Sequence, residues 1–159
     1  MTSLDMVAEF SRAFGYSVLE VPTAPPGNST LLEHRERLAT HIDTVARVAR
    51  SHAEDTGDVC ALRLSLILEE LAELAEAFAV CAPVAIFDAL LDLRYVNDGT
   101  VHACGMGQVF AEGMRRVHVS NMSKLGPDGT PIYDAAGKAV KGPFYEPPRL
   151  GDLVHGRVR

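Results

Sequence analysis

Thirty consecutive residues, 64–93, carry six acids, Glu69, Glu70, Glu73, Glu76, Asp88 and Asp92, and no Lys, Arg or His. An ordinary solvated helix laces its acids with basic residues three or four positions away. Here the nearest ones, Arg63 and Arg94, only bracket the stretch. Apart from one serine and one proline the remaining residues are apolar or small, so the acids stand on helices without local counter-charge.

On a helical wheel Glu69, Glu70, Glu73 and Glu76 fall within about 120° of arc, opposite Leu64, Ile67, Leu68, Leu71, Leu74, Ala75 and Phe78. Asp88 and Asp92 are spaced i, i+4 on the next segment, which is apolar nearly all round and is therefore expected to be buried. The short connection at Cys81, Ala82 and Pro83 makes the two helices antiparallel neighbours. Glu73 and Asp88, and likewise Glu69 and Asp92, are equidistant in sequence from the peptide joining Val80 and Cys81, so each pair is expected at one height. Two carboxylates ~4 Å apart repel by ~4 kcal/mol even at an effective dielectric near 20. Five or six converging carboxylates then call for a hard divalent ion, magnesium before calcium or manganese, since no His or Cys stands nearby as a softer ligand. The competing reading is a plain solvated face on a non-catalytic helical interaction module. A di-metal oxidase bundle is disfavoured because no Glu in the stretch has a His three residues on.

The 159 residues suit one domain, 1–159, and the alanine- and leucine-rich composition with no Trp favours an all-α class. A net charge of -6 argues against a nucleic-acid polymer or an anionic membrane as partner. Cys60, Cys81 and Cys104 show neither zinc nor disulfide spacing and are expected to be buried thiols. No apolar run reaches the ~18 residues of a membrane span and no signal core is visible, so a cytoplasmic protein is expected.

Spacing predicts a first helix around Leu4, Val7, Phe10 and Phe14, capped at Thr2 or Ser3 and closed by Gly15. A loop over 21–30 leads to an N-cap at Ser29 or Thr30 and a second helix over 31–52. Helices over 59–80 and from Pro83 to about Cys104 follow, then a fifth ending between Asn121 and Lys124. Turn signals around 130–133 and 138–141 predict a small hairpin, followed by an extended tail at Pro147 and Pro148. The expectation is an antiparallel bundle of about five helices, four in the core, with the core at 59–124 and the hairpin and tail at 125–159.

Glu69-Glu70-Leu71-Ala72-Glu73 is an EExxE motif, and the run from Asp88 to Val96 resembles the second acidic motif of the MazG-like all-α nucleoside triphosphate pyrophosphohydrolases. That superfamily includes MazG, the dimeric dUTPases and phosphoribosyl-ATP pyrophosphohydrolase. The second motif is commonly ExxD; Asp92 matches it directly and Asp88 lies one residue early, so the chain resembles a branch with DxxxD spacing. Val117-His118-Val119-Ser120-Asn121-Met122-Ser123-Lys124, then Asp128-Gly129 and Lys141-Gly142-Pro143, are similar to the same branch. The resemblance covers about 63–150, with a weaker match at 10–15, and the second helix is longer than the family usually has.

The resemblance implies cleavage of a nucleotide between its α and β phosphates, in nucleotide-pool cleansing or dUTP hydrolysis, with phosphoribosyl-ATP as the alternative substrate. It implies Mg2+, or Mn2+, on Glu69, Glu70, Glu73, Asp92 and Asp88, with Glu69 or Glu70 as general base. Asn121 and Lys124 lie on one helical face where a donor and a cation can hold phosphate oxygens. Lys141, Lys138, His118 and Tyr95 are further candidates for substrate contact, each with a plain structural role as its alternative. A homodimer or homotetramer is the implied assembly.

Overall fold

The computed structural model describes residues 1–25 and 32–155. The chain divides into two compact units, Val21–Cys104 and the pairing of Met1–Glu20 with Gly105–Arg159. The expected N-cap at Ser29 or Thr30 lies outside the described residues.

The Val21–Cys104 unit is built from α1 (Leu32–Thr56), α2 (Val59–Val80) and α3 (Pro83–Ala103). Gly57, at φ 68°, and Asp58 turn the chain, and the Asp58 side chain caps α2 by accepting from the amides of Cys60 and Ala61. Antiparallel packing of α1 and α2 is set by small residues. Ala39, Ala46 and Ala53 recur every seven residues on α1, as do Ser65, Ala72 and Ala79 on α2, and all six are buried. Ala39 and Ala79, Ala46 and Ala72, and Ala53 and Ser65 are each equidistant from Val59, so small side chains meet small side chains along the seam and the backbones approach closely. At the far end Arg35 of α1 donates to the Phe78 carbonyl at 3.1 Å, satisfying a last-turn acceptor of α2.

Helix α2 ends at Cys81, the one described non-glycine residue with positive φ, and Pro83 opens α3 in the first turn where its missing N–H costs nothing. Leu74, Ala77, Ile86 and Ala89 form the α2–α3 core. Arg63 of α2 reaches across to α3, donating to the Val96 carbonyl at 2.8 Å and to Thr100 Oγ1 at 3.0 Å. It passes over Gly99, where a Cβ would stand 2.9 Å from the guanidinium.

In the other unit α4 (Ser3–Ala13), with a capping box between Thr2 and Asp5, packs on α5 (Gly107–Met122). Strands β1 (Ile132–Tyr133) and β2 (Ala139–Val140) pair antiparallel, Ile132 with Val140. Gly142 lies where a Cβ would stand 2.3 Å from the Leu125 carbonyl oxygen, and its amide donates to the Lys124 carbonyl at 2.9 Å. Only glycine lets the hairpin return this close to the end of α5.

The all-α class holds, with the hairpin as its small β element. Among the described residues no helix is long and apolar enough to cross a membrane. Four expectations are corrected. Helix α1 runs to Thr56 rather than residue 52, because nothing breaks it before Gly57. The tail contains α6 (Gly151–Val154), held by Arg116, which donates to Asp152 Oδ1 at 2.6 Å from α5. Cys60 and Cys104 are exposed, since both sit at helix ends. Helix α3 is not buried all round: Ile86 and Ala89 are inside, while Val84, Phe87, Leu91 and Tyr95 form an exposed apolar stripe.

The seam makes a direct prediction. Ala46 is 0% exposed, so Ala46→Leu should overpack it and lower stability by about 1–3 kcal/mol in urea unfolding. An unchanged midpoint would show that the helices do not approach there.

Candidate functional site

The acidic stretch falls on α2 and α3, and the structure corrects its electrostatics at one residue. Glu69 has a counter-charge after all, from α1: Arg50 Nε donates to Glu69 Oε1 at 2.5 Å and Nη2 to Oε2, a bidentate pair. Arg50 was not foreseen among the site residues. The signal for it is the alanine spacing, since a seam centred on Val59 also puts positions 50 and 69 at one height.

Glu70 is half-buried. Burial, followed by the charges of Glu73, Asp92 and Glu69, pushes its carboxyl above the ordinary glutamate value. The structure thus brings Glu69, Glu70, Glu73 and Asp92 into mutual electrostatic reach. Asp88 is not among the carboxylates acting on Glu70. With the buried Ala89 as the centre of the inward face of α3, Asp92 lies about 60° off it and Asp88 about 100°, so the i, i+4 spacing turns Asp88 farther toward solvent. Glu73, Glu76, Asp88 and Asp92 are all exposed. Among the described residues none of these four, nor Glu70, is ion-paired with a basic side chain.

The expected convergence of five or six carboxylates is not seen, for among the described residues no three Asp, Glu, His or Cys side chains are gathered so as to hold an ion. Both oxygens of Glu69 are engaged by Arg50, and Glu73, Asp88 and Asp92 stand exposed. What α2 and α3 present is an all-oxygen, net-negative surface centred on Glu70.

The other candidates belong to the second unit. Lys124 Nζ donates to Asn121 Oδ1 at 2.7 Å, so the pair one turn apart at the end of α5 does share a face. His118, only 10% exposed, places Nε2 3.2 Å from Glu9 Oε2 of α4, and so links the two helices. Ser123 Oγ donates to the Ser120 carbonyl and accepts from the Glu146 amide, tying the chain after the hairpin back to α5. Lys141 Nζ lies 4.1 Å from the centre of the Tyr145 ring. Tyr95 of α3, 80% exposed, stands in solvent rather than in the core.

The raised Glu70 carboxyl gives a stability test with a definite sign. A carboxyl that holds its proton to higher pH when folded binds more protons in the folded state, so stability falls as pH rises from the unfolded value of 4.5 through the folded one. Glu70→Gln should therefore melt above the unsubstituted protein at pH 7 in EDTA, with the gain shrinking as pH falls toward 4.5 and absent below it. A gain that is constant with pH would show that charge is not its source.

Comparisons with known proteins place this arrangement. The family described as Phosphoribosyl-ATP pyrophosphohydrolase matches residues 38–121, which span the seam, Arg50 and both acidic helices. No curated protein matches the chain. A solved structure from Exiguobacterium sp. 255-15, described as a "putative NTP pyrophosphohydrolase", is 25% identical with a TM-score of 0.55, over 93% of this chain and 89% of that one. The family match spans more than half of the sequence: the chain belongs to the phosphoribosyl-ATP pyrophosphohydrolase family, within the MazG-like superfamily, and is a pyrophosphohydrolase.

Proposed function

We propose that the chain, acting as one catalytic domain, hydrolyses a nucleoside triphosphate between its α and β phosphates, releasing the monophosphate and pyrophosphate with a divalent ion as cofactor. The observation that carries this reading is Glu70, half-buried among Glu73, Asp92 and Glu69 with too little positive charge around it. Glu70, Glu73 and Asp92, with Glu69 and Asp88 at their margin, offer only oxygen ligands, the chemistry a hard ion such as Mg2+ or Mn2+ takes, and these side chains would have to draw together to hold one. Such an ion, when bound, offsets phosphate charge and acidifies a coordinated water.

The protein's own groups divide the remaining work. Arg50 engages both oxygens of Glu69, which leaves Glu70 as the carboxylate to accept a proton from the attacking water. Its raised pKa moves it toward the range in which a general base is effective. Asn121, Lys124 and Lys141 supply donors for phosphate oxygens, while His118 holds α5 to α4 beside Asn121. Tyr95 belongs to the exposed stripe on α3 with Val84, Phe87 and Leu91, the face that a second copy would cover in a homodimer.

The family match favours phosphoribosyl-ATP as the second substrate to test. Pyrophosphate release from dUTP, dCTP, dATP, dTTP and phosphoribosyl-ATP, with magnesium and with EDTA, decides between them. At least one substrate should turn over, and only with the metal. Glu73→Ala should lower kcat/KM by about 100-fold or more, as the loss of a metal-facing carboxylate does. Lys124→Ala should cost about 10- to 100-fold through a lost charged hydrogen bond. Release from none of the five substrates would overturn the reading.

A further inference from the structure

The chain has only three lysines, Lys124, Lys138 and Lys141, and all three line one cavity of about 350 Å³ formed entirely within the Met1–Glu20 and Gly105–Arg159 unit. Its other walls are Phe10, Phe14 and Tyr16, at and just beyond the end of α4, and Ala139 and Val140 of β2. No carboxylate lines the cavity, and among the described residues none of the three lysines is ion-paired. Lys124 is held by Asn121 and lies 5.9 Å from the centre of the Phe10 ring; Lys141 lies over Tyr145. Every lysine of a chain of net charge -6 thus contributes to the lining of one cavity that no carboxylate lines.

The aromatic side of the cavity is equally organised. Phe14, 4% exposed, backs Phe10 with ring centres 4.2 Å apart, and the Tyr16 ring stands 6.4 Å from Phe10 and 58% exposed. Tyr133 Oη donates to the Phe14 carbonyl at 3.3 Å, fixing the hairpin to the aromatic segment. One wall therefore offers ring faces and the other point charges, in a volume within the ~300–1,000 Å³ of small-molecule sites.

We infer that this cavity binds the nucleotide directly, with Tyr16 and Phe10 receiving the face of the base and Lys124, Lys138 and Lys141 receiving the phosphates. The inference rests on the proposal that the enzyme acts on nucleotides, and it makes Tyr16 and Phe10 the residues that read the base. Inorganic polyphosphate shares the phosphate chemistry but has no ring, so the two ligands separate the two walls.

Calorimetry of the full chain in EDTA, with dUTP, ATP and inorganic tripolyphosphate as probes, tests this. The unsubstituted protein should bind at least one nucleotide more tightly than tripolyphosphate. Lys138→Ala should weaken nucleotide and tripolyphosphate alike. Tyr16→Ala should weaken that nucleotide by about tenfold, the size of a lost base stack, and leave tripolyphosphate unchanged; Tyr16→Phe should restore binding. Equal helix content and melting temperature in each variant exclude misfolding, and Tyr16 and Lys138, being exposed, tolerate replacement. Tripolyphosphate binding as tight as that of both nucleotides, or equal losses for both ligand types in Tyr16→Ala, overturns the assignment of the aromatic wall. Unchanged binding in Lys138→Ala and Tyr16→Ala overturns the site. Tyr16-dependent binding by a protein that releases no pyrophosphate would instead overturn only the hydrolase reading.

Discussion

Close approach of two antiparallel helices along a row of small side chains sets the geometry of the acidic unit. With Ala39, Ala46 and Ala53 against Ser65, Ala72 and Ala79, neither helix can slide by one residue without placing a larger side chain in the seam. That register decides which charges meet. It puts Arg50 level with Glu69, so the guanidinium finds both carboxylate oxygens, and it leaves Glu70, one residue on, facing Glu73 and Asp92 with no such partner. A packing constraint among alanines thus distinguishes two adjacent glutamates that the EExxE motif treats alike.

The ends of α2 fix the remaining freedom. Arg35 closes its last turn, Asp58 caps its first, and Arg63 clasps α3 across Gly99. Each uses a charged or polar side chain to satisfy backbone or hydroxyl groups rather than to form an exposed ion pair. Such bonds hold direction as well as distance, so α3 presents Asp92 toward Glu70 while Asp88 turns away.

Much of the fold was legible because its boundaries carry local chemistry: Thr2 and Gly15 around the Ser3–Ala13 helix, Pro83 at the start of α3, and the turn residues of the hairpin. The glutamate face of α2 was legible for the same reason, as a pattern within one helix. The Arg50–Glu69 pair was not, since it joins residues on different helices and depends on a register that charge patterning within 64–93 cannot report. The outer stripe of α3 misled because periodicity shows that a helix is apolar on several sides but not how many neighbours it has. Helix α6 escaped notice because its four residues are held by Arg116 from a distant segment, not by a pattern of their own.

The two kinds of cation in this chain do different jobs. Arg37, Arg47, Arg50, Arg94, Arg115 and Arg116 are all engaged with carboxylates, and the shared contacts to Arg115 and Arg116 hold Glu112 down at about 2. Among the described residues the lysines form no such pairs. A guanidinium, planar and permanently charged, is suited to fixed two-point contacts; an ammonium on a flexible stem can follow a ligand's oxygens as they arrive. Keeping every lysine off the acidic helices also protects both surfaces, because a lysine beside Glu70 would neutralise the charge proposed to hold a metal, and a carboxylate beside Lys138 would neutralise the charge proposed to hold phosphate. The distribution of charge along the sequence keeps each surface intact within its own unit.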